Sequence, residues 1–385
     1  MLLAAAGLLL ALPPEHAASL PRTPEDDFEL DSDAIARRVL LLDAPDPARR
    51  LRGDFEPIDL LMLVHDDTWS GSLEAIVEGI AGRVPVEILV QDMDVDTDGY
   101  GRVAEAGCLG FSELAHDTPW IRDYGPLQVS DGSRSEWIDF AYADDRALDD
   151  DLPEAIAARY GSSVIFDAAQ LDGGGVVSNG RGLCAMTETS LLESGVALES
   201  RQELQALAQR MGCAAIALLP ALPDEQTGHA DVAIQFVAED RVAIASMSPQ
   251  RHPLQAQLLD QSVAILSYAA DRLGQPLDVI RVPMDARGDV FYSYLNGTRV
   301  GDIFLVPHYD RGDPDYQAAA YVALAAAMPN VKLVPIDADE MVELGGAIHC
   351  ITLGLALDSA HRPRCQPIGT GPLGFANEIT SPSGT

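Results

Sequence analysis

Cys350 stands behind a glycine pair in Leu344-Gly345-Gly346-Ala347-Ile348-His349-Cys350-Ile351-Thr352, and two further polar clusters lie far upstream, Trp120-Ile121-Arg122-Asp123 and Gly228-His229-Ala230-Asp231. A thiol, an imidazole and two carboxylates together supply a nucleophile, an acid/base group and a pair of anions. That set suits attack on the carbon of a guanidinium, which is planar, permanently charged and resonance-stabilised, so that anions must fix its nitrogens while a thiolate reaches its carbon. In this scheme Cys350 is the nucleophile. Asp123 and Asp231 bind the guanidinium nitrogens through charge-assisted hydrogen bonds. His229 protonates the departing ammonia and then takes a proton from water, a role suited to an ordinary imidazole pKa of about 6.5. In an extended segment His229 and Asp231, one residue apart, project to the same face. A free thiol titrates at about 8.5, so the bound cation or a protonated His229 has to favour the thiolate. Trp120 is placed to cover the aliphatic part of a substrate or to stack on its guanidinium, and Arg122 is read as structural.

Each of these residues also has a plainer reading. A lone cysteine is more often a small buried hydrophobe, His229 could pack or cap beside Gly228, and Asp123 precedes the turn-forming Tyr124-Gly125-Pro126. Only convergence of all four in space distinguishes the chemical reading from the plain one. Two other classes stay open: a cysteine amidase or protease, which needs an oxyanion hole and an oriented imidazole but no paired carboxylates, and a secreted binding protein without activity.

Taken in order, W-x-R-D-x-G-P at 120–126, G-H-x-D at 228–231 and G-G-x-x-H-C-x-T at 345–352 resemble the agmatine deiminase and bacterial (Porphyromonas-type) peptidylarginine deiminase family. Phe55-Glu56-Pro57 is similar to the family's opening segment and Gly173-Gly174 to its central glycine pair, so the resemblance covers roughly 54–357. It implies an α/β fold, a five-bladed propeller of ββαβ modules (a pentein) with the site in its central channel. It also implies hydrolysis of a guanidino group to a ureido product plus ammonia through a covalent cysteine thiouronium, with no metal or organic cofactor. On this resemblance Asp172 takes the place of a glutamate before the glycine pair, with a shorter reach to substrate. Asn296 matches a substrate-site asparagine of the last module, although Asn-Gly is also a hairpin pair and the turn is the preferred reading. Arg146, in Phe140-Ala141-Tyr142-Ala143-Asp144-Asp145-Arg146, is the single arginine offered to a peptide carboxylate, with Asp144 opposing it; a charged surface loop is the alternative. The absence of tryptophan around Phe55-Glu56-Pro57 weighs against agmatine, and Trp120–Pro126 is closer to the peptidylarginine deiminases.

The elements that must position these residues repeat. GVVSNGRGLCAMT reads as a hairpin around Asn179-Gly180, RQELQALAQRMG as an amphipathic helix and AAIALLP as a buried strand. The same order recurs from DVAIQFVAEDRVAIASM to LDVIRVPM, and from a turn at Asn296-Gly297 through IFLVPHY and YQAAAYVALAAAMP to KLVPID. Two earlier units, IDLLMLVHD to VPVEILVQD and GPLQVSDGSRSEWIDFAY to SVIFDAA, fit less cleanly. One such module cannot bury both its apolar faces, so several must close on a common core. An open α/β sheet is the alternative.

The domain reading is one deiminase domain at 54–357, a linker rich in Pro, Asp and Arg at 21–53 and a tail at 358–385. The apolar run 2–12 is too short to span a bilayer, and with small residues at Ala17, Ala18 and Ser19 it reads as an export signal within 1–20, though no Lys or Arg precedes it. A secreted or periplasmic location follows from that reading, a cytoplasmic one if the run is a buried helix. With 385 residues, 47% of them hydrophobic, the chain can bury a sizeable core. A formal charge of -35 argues against nucleic acid and anionic membrane as partners and favours a cationic guanidino substrate. The five cysteines, none spaced as C-x-x-C, do not suggest a metal cluster. In an exported chain one or two disulfides can form among Cys108, Cys184, Cys213 and Cys365, leaving Cys350 free, while the plain expectation for those four is packing as small hydrophobes. Oligomeric state is not legible.

Overall fold

The computed structural model describes residues 30–92, 100, 108–130, 135–143, 145–197 and 200–363. Within them the local signals organise five modules, each an antiparallel hairpin whose second strand pairs in parallel with a third strand after a helical crossover. Val176–Ser178 and Leu183–Thr187 form the hairpin anticipated around Asn179-Gly180, and Leu183–Thr187 then runs parallel to Ala215–Leu219 across the helix Arg201–Met211. Ile234–Ala238, Arg241–Ser246 and Asp278–Pro283 repeat the pattern around the helix Pro253–Arg272. Thr298–Val300, Ile303–His308 and Lys332–Asp337 do so around Pro314–Ala327. Leu127–Ser130, Ser135–Ala141 and Val164–Gln170 form a fourth module. Strands such as Leu60–Val64 and Val86–Val90 are buried throughout, as parallel strands covered on both faces should be.

The first unit fits the repeat poorly in sequence because its hairpin partner comes from the other end of the chain. Thr352–Leu355, just past Cys350, pairs antiparallel with Leu60–Val64, which in turn runs parallel to Val86–Val90. This pairing closes the ring and seats the cysteine at the junction of the first and last parts of the fold. The inner strands of four modules, through Gln128, Ser178, Arg299 and Gly354, line a narrow central channel. The fifth inner strand joins them through Gln235, whose Nε2 donates to the Gly297 carbonyl at 2.9 Å.

Two expectations are corrected. The stretch 21–53 is not a linker over its described part: Ser32–Arg37 is helical with Asp31 as its cap, Val39–Leu41 pairs with Ala215–Ala217, and Arg50–Leu51 pairs with Val129–Ser130. Its apolar residues are few, but they extend two sheet edges that would otherwise be open. Nor do all four remaining cysteines pack as hydrophobes. Cys184 and Cys213 form a disulfide with Cα atoms 5.7 Å apart, and Cys108 is disulfide-bonded as well; Cys365 lies outside the described residues. Cys350 is free and buried. The segment 1–20 and most of the tail, from 364, likewise fall outside the described residues. Among those described, no helix is long and apolar enough to cross a membrane.

Candidate active site

Cys350 ends a tight turn immediately before the closing strand Thr352–Leu355. Asn296 holds that turn: its Oδ1 accepts from the Ala347 N–H at 3.1 Å and from the Cys350 thiol at 3.4 Å, and its carbonyl accepts from the His349 N–H at 3.0 Å. The expectation of a hairpin turn at Asn296-Gly297 is therefore overturned. The hairpin reverses at Gly301-Asp302, with Gly301 at φ 60°, and Asn296 is buried beside the sulfur. Asn296 does not line the large cavity described below, and its Oδ1 faces the thiol.

The helical turn Ile121–Tyr124 carries Asp123 and is tied to the cysteine by the Arg122 N–H, which donates to the Cys350 carbonyl at 3.1 Å. Trp120 leans on Trp69, with ring centroids 5.7 Å apart, and covers Gly346; a Cβ there would stand 2.6 Å from the indole. Gly346 is thus required for the close approach of the indole to the cysteine turn.

Gly174 is the floor of the site. A Cβ on it would lie 2.7 Å from Asp123 Oδ1, 2.8 Å from His229 Nδ1 and 3.1 Å from Asp231 Oδ2, so three side chains from two distant segments meet over one bare α-carbon. The Gly174 N–H donates to Asp123 Oδ1 at 3.2 Å. His229 sits between two carboxylates, its Nδ1 3.5 Å from Asp123 Oδ1 and its Nε2 3.2 Å from Asp172 Oδ2. Asp172, despite its shorter side chain, reaches the imidazole. His229 itself is extended, but Ala230–Val232 forms a 3-10 turn, which corrects the simple strand argument. His229 faces the cavity while Asp231 turns behind it to His349, whose Nδ1 is 2.6 Å from Asp231 Oδ2.

Burial and charge set the protonation states. Burial disfavours the His229 imidazolium, yet the carboxylates of Asp123, Asp231 and Asp172 outweigh it and hold the ring up at about 10. The ring is therefore charged at neutral pH, in place of the expected imidazole near 6.5. Burial pushes the Asp123 carboxyl up to about 7 against the pull of His229, with Asp172 and Asp231 adding to the rise. Burial, then Asp231 and Asp123, push the Cys350 thiol well above its ordinary value, so without a bound cation it stays protonated on Asn296.

Cys350, His229, Asp123, Asp172, Trp120 and Arg146 open onto one cavity of about 360 Å³. Its wall also carries Asp145 and Glu193, which makes it strongly acidic. Its one arginine, Arg146, donates to the Tyr142 hydroxyl at 2.8 Å and lies over the same ring, 5.7 Å from its centroid. Asp144, expected to oppose Arg146, is outside the described residues. Of the anticipated residues, Asp231 and Asn296 alone stand behind the cavity wall. Donor atoms of Asp123, Asp172 and His229 lie within 4.8 Å of one another, close enough for a metal ion, but an imidazolium held by two carboxylates offers no lone pair to one. The sequence reading missed His349 and Asp54. His349 was in view inside the G-G-x-x-H-C motif, directly before the nucleophile; nothing local marks Asp54.

A family model for Porphyromonas-type peptidyl-arginine deiminases matches residues 64–355, a span that contains every cavity residue named above. The chain belongs to that family. A peptidyl-arginine deiminase family member of this kind also has curated relatives named putative agmatine deiminases: one from Streptomyces coelicolor is 29% identical over 61% of this chain and 75% of its own length, and one from Legionella pneumophila is 26% identical over 75% of this chain and 88% of its own. Among solved structures, the agmatine deiminase of Enterococcus faecalis superposes with a TM-score of 0.68 at 20% identity, covering 82% of this chain and 99% of that one. That likeness establishes the shared fold, the pentein anticipated from the motifs.

Proposed function

We propose that this family member is a cysteine-dependent deiminase that hydrolyses a guanidino group to a ureido product and ammonia. The observation that carries the reading is that Asp123, His229 and Asp231 meet over Gly174 while Asp123, His229 and Cys350 share the wall of one acidic cavity. A guanidinium pressed against the wall beside Cys350 meets Asp123 as an acceptor for its N–H groups, with the buried, unpartnered Oδ1 of Asp231 behind that wall as a second acceptor once the planar head is seated, and its charge offsets the anions that keep the thiol protonated. The thiol proton passes to solvent, where it ends on the released ammonia as ammonium, and the thiolate attacks the guanidinium carbon. The His229 imidazolium gives its proton to the leaving nitrogen, ammonia departs, and a thiouronium remains on Cys350. Neutral His229, now a strong base among carboxylates, takes a proton from water as the oxygen attacks the same carbon. The sulfur then leaves, and the proton on the new ureido group returns to it. Asp172 holds Nε2 so that the ring faces the reacting carbon.

An amidase would need one imidazole nitrogen facing the thiol and the other held by an orienting group, whereas both ring nitrogens of His229 face carboxylates. The cavity mouth refines the substrate: Asp145 and Glu193 are acidic, and Arg146 is engaged with Tyr142, so a cationic or neutral tail suits the site better than a free carboxylate. Two features support an exported protein, the N-terminal apolar run and the disulfides at Cys184–Cys213 and Cys108, since such bonds persist in oxidising compartments. The deciding assay measures ammonia and ureido product from agmatine, free arginine, and peptides with internal or C-terminal arginine. Turnover of agmatine or internal arginine is expected to exceed that of C-terminal arginine. Absence of ureido product from all of them defeats the proposal.

A further inference from the structure

The three motifs of the site each carry a second charged or ionisable residue that does not line the cavity. Arg122 precedes Asp123, His349 precedes Cys350, and Asp231 follows His229 by two. Behind the cavity wall these residues join in one buried row. Asp231 Oδ2 lies 2.6 Å from His349 Nδ1, His349 Nε2 lies 3.5 Å from Asp54 Oδ2, and Asp54 Oδ1 accepts from Arg122 Nη1 at 3.0 Å. His349 and Asp231 are nearly inaccessible to solvent, and Asp231 Oδ1 is buried with no partner. An imidazolium in the middle makes the row electrically neutral, two cations against two carboxylates. A neutral ring would leave an uncompensated negative charge in the interior.

We propose that His349 is a positioning residue of the reaction: by gripping one oxygen of Asp231 and being gripped in turn by Asp54, it fixes the Asp231 carboxylate and leaves its second oxygen free for the substrate guanidinium. This role rests on the deiminase reading above. Asp231 is the right target for such control, because of the two site aspartates it acts more strongly on the Cys350 thiol. The groups facing His349 are Asp231, Asp54 and Arg122; burial and Arg122 oppose its charge, the two carboxylates favour it, and the ring is raised above its ordinary value. The groups facing Asp231 are His349, His229, Asp123 and Cys350. Removing His349 takes a cation from Asp231 and leaves it buried near Asp123. The uncompensated charge of Asp231 then weighs more heavily on Asp123, whose carboxyl burial already holds at about 7, and the acid limb of kcat/KM moves to higher pH.

The test compares wild type with His349→Asn and His349→Ala on whichever guanidino compound the wild type turns over. His349→Ala is expected to lower kcat/KM by about 10- to 100-fold, the usual cost of losing a residue that orients a ligand-binding group. The loss should fall mainly on KM, with the acid limb displaced upward. In His349→Asn the amide Nδ2 can replace the ring Nδ1–H toward Asp231, so KM should recover in part while the limb stays displaced. Nitrogen NMR of the ring-labelled wild-type protein should show both nitrogens of His349 protonated at neutral pH, a reading that needs no variant to fold. A neutral His349 ring, or a folded His349→Asn protein with wild-type KM and acid limb, overturns the proposal. A wild type that deiminates nothing would instead sink the function assigned above, leaving the ring-protonation result to stand on its own.

Discussion

The cavity beside Cys350, taken as the front of the fold, and the cleft among the inner strands, taken as its rear, differ in size and in sign. The front is a cavity of about 360 Å³ walled by Asp123, Asp145, Asp172 and Glu193. The rear is a constriction of about 50 Å³ lined by Arg52, Arg122 and Arg299, with Asp54 among them. Burial holds Arg52 and Arg299 below the usual arginine range, and Arg299 is satisfied by the carbonyls of Gly301 and Val237 instead of by acids. A channel built from repeated modules is thus polarised by the side chains each strand sends inward. A cation entering from the front meets a wall of anions, then a stop of packed strands and arginines. The net charge of -35 does not by itself say where that asymmetry falls.

Substitutions at the two ends should therefore separate chemistry from framework. Cys350→Ala at the front has the largest expected effect. Ureido formation falls by a factor on the order of 10^4 or more, as for other nucleophile deletions, while calorimetry still detects binding of the guanidino ligand. His229→Gln follows, with kcat lower by about 10² to 10⁴, the range for loss of an acid/base group. Wild-type activity should fall away on the alkaline side as pH passes about 10, where the His229 imidazolium loses the proton it must donate. Asp172→Asn removes one of the carboxylates that stabilise that imidazolium, so the alkaline limb should move to lower pH; a limb that stays in place would show that Asp172 does not govern the ring. Gly174→Ala pushes a methyl group among Asp123, His229 and Asp231 and should cost roughly 10²-fold in kcat/KM, the scale of a misplacement of about 1 Å.

At the rear, Arg299→Met should leave kcat and KM close to wild type and register only in the melting temperature. If it raised KM as strongly as Gly174→Ala, the contrast between the ends would fail. The smallest effect on turnover is expected from replacing Cys184 and Cys213 together by alanine. Losing a bridge across a sequence separation of 29 should cost about 2 to 4 kcal/mol in denaturant unfolding with kcat unchanged.

Two Asn-Gly pairs show how far sequence could be read. Asn179-Gly180 is a turn between antiparallel strands: Gly180 has φ 66° and the Asn179 carboxamide oxygen accepts from the Arg181 and Leu183 N–H groups. Asn296-Gly297 has the same two letters and a strand to follow, yet its side-chain oxygen is spent on Ala347 and Cys350. Turn chemistry is local and was visible in the first pair. In the second it was overridden by partners more than fifty residues away. Val39–Leu41 was misread for a similar reason, since three half-buried residues look like linker until Ala215–Ala217 is beside them.

The candidate thiol, imidazole and carboxylates could be picked out from sequence alone, because reactive side chains are chemically distinct wherever they lie. So could most of the repeated modules, because alternation and helical periodicity act over a few residues. Only the tertiary structure decided that Thr352–Leu355 completes the first sheet, that Cys184 meets Cys213, and that Asp54 and His349 stand behind the site. It also decided that His229 rests as a cation and Cys350 as a thiol. Proton affinities and pairings depend on which charges and apolar walls come together from distant parts of the chain, and no local pattern of residues carries that distance.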